Sequence, residues 1–188
     1  MSVRIIAIPL TIFCFAINSF GQIPLGFKVG VNINQMELRG APSALSTEGF
    51  ATKTSFHAGI FTKIELSPKF NLIPELQYID KKSSYELRYI ELPLLLSYSP
   101  LSWVSIEAGG SFGFNVHRSV GIFAFDDPDG GVLGGLRFSH RQWSLLARYY
   151  YGLTSIEDTY LSIGPGMTTH NKSTQFSIEY CLPNNKKQ

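Results

Sequence analysis

Nine charged residues stand at alternate positions in stretches that are otherwise apolar: Lys28, Lys63, Glu65, Glu75, Glu91, Glu107, Arg137, Arg148 and Glu179. Carboxylates and cations placed like this can do one of two things. They can line a path for a polar solute, or pair with one another in an enclosed space, where an unpaired charge is costly. A second set could do covalent chemistry. A histidine made basic by a carboxylate activates a serine or a water for hydrolysis or acyl transfer. His57 with Ser55, and His117 or His170 with Asp126, Asp127 or Asp158, are the candidates. None has the spacing of a catalytic motif, so they read as polar surface and the catalytic set is none. Asp126-Asp127-Pro128-Asp129-Gly130 offers carboxylates to a hard cation, but matches no metal-loop spacing and is ordinary turn chemistry. No metal and no cofactor are therefore expected. Cys181 reads as a small filler rather than a reactive thiol.

The elements that position these residues are eight stretches of period-two alternation between Leu25 and Leu182. One phase runs through Phe27 and Val29, Phe56 and Ile60, Leu72 and Tyr78, Ile90 to Tyr98, Val104 to Phe114, Val132 to Phe138, Trp143 to Tyr151, and Phe176 to Leu182. Its 39 positions hold no Asp, Glu, Lys or Arg in a chain that is 16% charged, where about six would fall by chance. The opposite phase holds the nine charges. A soluble sandwich shows the same alternation with the faces exchanged, so the pattern alone leaves the two open.

The N-terminus separates them. Met1 to Arg4 is a short basic start, Ile5 to Ile17 is apolar, and Ser19-Phe20-Gly21 has small residues where a signal peptidase cuts. Residues 1–21 read as a signal peptide and 22–188 as one barrel domain. The apolar run is shorter than the ~20 residues that cross a bilayer as a helix. Without Arg4 the mature chain has 15 basic and 14 acidic residues. A nucleic-acid partner would want a basic stripe, and none is present. Cys181 alone in the mature chain allows no internal disulfide.

The fold expected is all-β: an eight-stranded antiparallel up-and-down transmembrane β-barrel. The connections support it, because short turns at 67–69, 99–102 and 139–142 alternate with outer connections at 32–55, 80–84, 115–130 and 152–173. Aromatics gather at both strand ends, with Phe27, Phe70, Tyr98, Trp103, Phe138, Trp143 and Tyr180 near the short-turn rim. Eight strands enclose a space that side chains can fill. Glu75, Glu91, Glu107, Arg137, Arg148 and Glu179 are thus read as a structural polar network in the lumen. Ile122, Phe123 and Phe125, an apolar run in the third outer connection, are the candidate partner surface.

Tyr89-Ile90-Glu91-Leu92-Pro93-Leu94-Leu95-Leu96-Ser97-Tyr98 resembles the core segment of the PorT-like outer-membrane β-barrel family. Phe27-Lys28-Val29-Gly30-Val31-Asn32, Phe56-His57-Ala58-Gly59, Pro74-Glu75-Leu76-Gln77-Tyr78 and Arg148-Tyr149-Tyr150-Tyr151-Gly152-Leu153-Thr154 resemble its other segments. The resemblance implies the outer membrane of a Gram-negative cell, no assigned activity for most members, and a role in protein secretion or envelope assembly as one reading. Many such barrels end on an aromatic that the insertion machinery reads, whereas Tyr180-Cys181-Leu182 here is followed by six further residues. The expected partners are outer-membrane lipid, the insertion machinery during biogenesis, and an unidentified protein or ligand at the outer loops. Function is read as non-enzymatic binding at those loops, with secretion, a narrow pore and a rim-located lipid hydrolase or acyltransferase as the alternatives.

Overall fold

A computed structural model describes residues 24–39, 52–82, 86–119, 122–154 and 168–183. The expected signal peptide lies outside them. Nine strand segments follow one another: β1 (Leu25–Arg39), β2 (Lys53–Thr62), β3 (Ile64–Ser67), β4 (Phe70–Lys82), β5 (Glu86–Leu101), β6 (Val104–Ser119), β7 (Ile122–His140), β8 (Trp143–Gly152) and β9 (Thr168–Cys181). β2 and β3 are successive parts of one barrel strand, broken at Lys63, and both pair with β4. Each strand pairs antiparallel with its neighbours, β1 pairs with β9, and β2 with β4, so the eight barrel strands close without an edge. Closure rules out the sandwich, which needs two sheets with free edges.

The two phases separate as the alternation requires. Phe56 is 74% exposed and Leu145 59%, whereas Arg137 is 1% and Glu91 1% exposed. Large apolar side chains outside and charges inside invert a soluble protein, and only a hydrocarbon surround makes that arrangement favourable. A membrane-crossing strand needs about 9–11 residues. β8 supplies 10, while β5 and β6 have 16 each and β7 has 19, so these project beyond the bilayer.

Short two-residue turns, Pro68-Lys69, Ser102-Trp103 and Arg141-Gln142, close one rim, tighter than the sequence suggested because the strands continue into the expected turn residues. Arg141 takes φ 55°, the left-handed region a tight hairpin demands. Neighbouring turns are tied by Ser99 N–H to Lys69 O at 2.8 Å and Ser139 N–H to Trp103 O at 2.9 Å. Aromatic pairs band this rim, Phe70 with Tyr98 at 5.0 Å and Trp143 with Tyr180 at 4.8 Å between centroids. At the other end Phe112 packs edge-on against Phe114 at 5.0 Å.

Two expectations are corrected. Most of the 115–130 connection is strand: Ser119 pairs with Ile122, Arg118 with Phe123 and Val116 with Phe125. Val116, Ile122, Phe123 and Phe125 all favour extended backbone, and the ladder shifts register between Gly113 and Asn115, where Asp127-Pro128 drop out of the pairing. Proline has no N–H to give a ladder, which suits it to that bulge. Likewise β1 runs to Arg39 beside β9 where a loop was expected from Asn32. The second correction concerns Glu65. It is exposed at the short-turn rim: it keeps the register of β2, opposite Asn71 on β4, but stands beside the turn at the end of the lumen, where water reaches it.

Candidate functional site

Five of the six network residues form one continuous chain across the lumen, and Lys28 joins them. Glu75 accepts from Lys28 Nζ at 2.5 Å and from Arg148 Nη1 and Nη2 at 2.9 and 2.6 Å. Glu107 accepts from Arg148 Nη2 at 2.7 Å and Nε at 3.1 Å, and its other oxygen accepts from Arg137 Nε. Arg137 then donates to Glu179. Cation and carboxylate alternate along Lys28, Glu75, Arg148, Glu107, Arg137 and Glu179, drawn from β1, β4, β8, β6, β7 and β9. Three positive and three negative charges cancel, and all six are buried.

The geometry decides what this array can do. Taking each ion out of water costs several kcal/mol, which the bidentate pairs Arg148–Glu75 and Arg137–Glu179, joined through Glu107, offset. A solute could cross only by breaking several of these bonds at once. Glu91, the sixth predicted residue, lies apart and accepts from Gln77 Nε2 at 2.7 Å. Glycines make room for the bulky members. A Cβ at Gly135 would lie 2.6 Å from Arg148 Cγ, and one at Gly131 would enter the Tyr150 ring. The Arg137 guanidinium lies 5.5 Å from the Phe61 ring centroid, and Lys63 Nζ lies 5.7 Å from it. Both are within cation–π range.

Outward of the ions the lumen changes character. Asn32 and Asn34 lie beyond Lys28 on β1, Gln77 beyond Glu75 on β4, Ser111 beyond Glu107 on β6, and Gln175 and Ser173 beyond Glu179 on β9, all buried. Asn34 Nδ2 donates to Ser55 Oγ at 2.8 Å. By contrast Asn32 Oδ1, Asn34 Oδ1, Gln77 Oε1, Ser111 Oγ, Ser173 Oγ and both amide atoms of Gln175 find no partner among the described residues. A reading confined to charges misses this layer, although its phase was visible.

Among the described residues the candidate catalytic groups do not assemble. His57 faces the lumen rather than the outer rim, and its Nε2 is 2.7 Å from Ser177 Oγ, while Ser55 is engaged by Asn34. Period-two geometry puts His57 and Ser55 on one face without bringing them into contact. His170 Nδ1 meets Gly152 O at 3.1 Å, and its ring stacks on Tyr151 at 6.0 Å. The His117 side chain and Asp158 lie outside the described residues. Asp129, the described member of the acidic run, is buried and accepts from Thr154 Oγ1 at 3.1 Å and Asn171 Nδ2 at 3.2 Å, a clasp that fixes the start of the last outer connection to β7. Ile122, Phe123 and Phe125 are placed by backbone on the β6–β7 ribbon beyond the barrel wall, past Gly131, the last residue of β7 to pair with β8.

A closed antiparallel barrel with an apolar exterior and an ion-paired interior defines the class of transmembrane β-barrel proteins. Solved structures agree on the fold. The chain superposes on Ail, the attachment invasion locus protein of Yersinia pestis, with TM-score 0.52 at 13% identity, over 86% of this chain and 99% of Ail. Ail in complex with the heparin analogue sucrose octasulfate gives 0.50 at 11% identity, over 86% and 99%. Neisserial surface protein A gives 0.49 at 11%, over 83% and 96%. No protein-family model matches the chain. No curated protein matches it either.

Proposed function

We propose that this chain is a non-enzymatic outer-membrane protein whose working surface is the set of ribbons beyond the bilayer, with the lumen serving as a closed structural core. The observation that carries the reading is the six-membered ion chain, in which each of the six charged groups is engaged by a neighbour. A barrel closed in this way has its outer connections left for recognition. The β6–β7 ribbon is the longest of those described, and it holds Ile122, Phe123 and Phe125 beyond the wall. The fold neighbour Ail is described as an attachment protein and was seen with a heparin analogue, which fits surface recognition on this fold.

Photo-crosslinking from position 123 or 125 in intact cells tests the proposal, with capture of one defined surface partner expected. A purely periplasmic catch would overturn the topology and the function together. Planar-bilayer recording is the companion measurement: no conductance steps are expected, and steady ion-selective steps would replace this reading by a pore. The secretion reading is favoured only by the PorT-like segments, Tyr89 to Tyr98 above all. It requires that deleting the gene block export of secreted proteins.

A further inference from the structure

The β8–β9–β1–β2 wall carries a graded sequence of chemistries on its lipid-facing side. A groove of about 850 Å³ runs along it, floored by Gly30, Ala58 and Ala147 and walled by Phe56, Phe176 and Tyr78. The register sets these residues in two cross-strand rows. Ala147, Phe176, Val31 and Phe56 form one, and Leu145, Ile178, Val29, Ala58 and Tyr78 the other. Each row holds one alanine beside an aromatic, Ala147 next to Phe176 and Ala58 next to Tyr78, so the wall is furrowed there.

The next row outward is different: Tyr149, Thr174, Ile33 and Thr54 bring two hydroxyls and a phenol to the lipid side. The row beyond it holds Tyr151, Lys172 and Gln35, with Lys172 Nζ 5.6 Å from the Tyr151 ring centroid. His170 stacks on that same Tyr151, and Glu37 stands opposite His170 in the ladder. Four residues separate Phe176 from Lys172, roughly 13 Å along a strand. That order, hydrocarbon groove, then hydroxyls, then a cation on an aromatic, matches a membrane lipid from acyl chain through ester region to phosphate.

We infer that this wall is a specific site for one phosphate-bearing membrane lipid, an acyl chain lying in the groove and its phosphate at Lys172. Chemistry selects the occupant. The groove lies within the membrane-spanning part of the strands, where only hydrocarbon is available to fill it. An interfacial lysine attracts an anionic lipid headgroup. The inference rests on the barrel's spanning a bilayer, and not on what its outer ribbons bind.

Native mass spectrometry of the whole barrel in dodecylmaltoside, titrated with dimyristoyl-phosphatidylglycerol or dimyristoyl-phosphatidylcholine, tests it. Wild type is expected to retain one phosphatidylglycerol in preference to phosphatidylcholine. Ala147→Phe and Ala58→Phe, which fill the groove from outside the core, are expected to lower retention about tenfold, a loss readable as a shift in half-saturation. Lys172→Gln is expected to erase the preference while keeping the bound chain. Ala108→Phe on β6, a matched small lipid-facing residue on the opposite side of the strand order, is the control and leaves retention unchanged. Heat-modifiable gel mobility confirms that each variant is folded. Equal loss in Ala108→Phe means an unspecific lipid annulus and overturns the site. Unchanged retention in both groove variants also overturns it, as does a dimer peak that disappears when the groove is filled, since the surface would then bind a second copy of the chain.

Discussion

The two halves of the lumen are built from the same inward-facing phase and behave oppositely. Toward the short turns, Lys28, Glu75, Arg148, Glu107, Arg137 and Glu179 satisfy one another in an unbroken alternation. Toward the outer mouth, Asn32, Asn34, Gln77, Ser111, Ser173 and Gln175 are also buried, yet each keeps at least one polar atom without a partner among the described residues. Charge explains the difference. A buried ion without a counter-ion costs far more than a buried amide with one bond missing, so selection of side chains has to complete the ionic half first. The ionic half therefore fixes the barrel's closure. The outer half, where Glu91 and Asp129 accept from Gln77, Asn171 and Thr154, contributes packing and leaves hydrogen-bonding capacity near the outer mouth.

The sharpest way to break that contrast is to remove one ion. Arg148→Met would leave Glu75 and Glu107 each short of a bidentate partner inside the lumen. A loss of about 3–5 kcal/mol is expected, the usual cost of stranding a buried charge. Urea unfolding in micelles followed by gel mobility measures it, and adding Glu107→Gln to Arg148→Met is expected to recover part of the loss. A loss below about 1 kcal/mol would mean that water already screens the network. Steric fit gives the next largest effect. Gly131→Ala drives a methyl into the Tyr150 ring and is expected to cost about 1–3 kcal/mol, with Tyr150→Leu in the same chain restoring most of it.

Much of this was legible because a barrel strand has one variable, the phase. Every charge assigned to the lumen from Lys28 to Glu179 is buried or half-buried except Glu65, which keeps the β2 register opposite Asn71 but lies beside the Pro68-Lys69 turn, where the lumen opens to water. Pairing partners were not legible. Arg148 and Glu75 are 73 residues apart and meet only because closure brings β8 and β4 across one narrow tube. The proximity of Lys28 to Glu75 depends on the same closure, so the sequence could place Lys28 inside without adding it to the chain of ions. The outer connections misled for a different reason. Asp126-Asp127-Pro128-Asp129-Gly130 reads as a turn, and tertiary pairing with β6 absorbs it as a bulge within a continuing ribbon. The His57 pairing with Ser177 is invisible for the reason that hid the ion chain: strands β2 and β9 are neighbours of β1 but not of each other.

The smallest expected effect separates the two halves most cleanly. Gln175, the innermost of the outer amides on β9, stands opposite Arg148 in the β8–β9 ladder and is as buried as it, yet neither its oxygen nor its nitrogen has a partner among the described residues. Gln175→Met keeps length and volume while removing the polar atoms. Replacing an unsatisfied polar group by an apolar one of similar shape is nearly neutral or stabilising, so a change within about 1 kcal/mol is expected in the same urea titration. Set against Arg148→Met at the adjoining position, this asks whether depth or charge governs the lumen. A loss for Gln175→Met approaching that of Arg148→Met would show that the outer amides are held in a network no looser than that of the ions, and the division of the lumen into a closed ionic half and an adaptable outer half would fail.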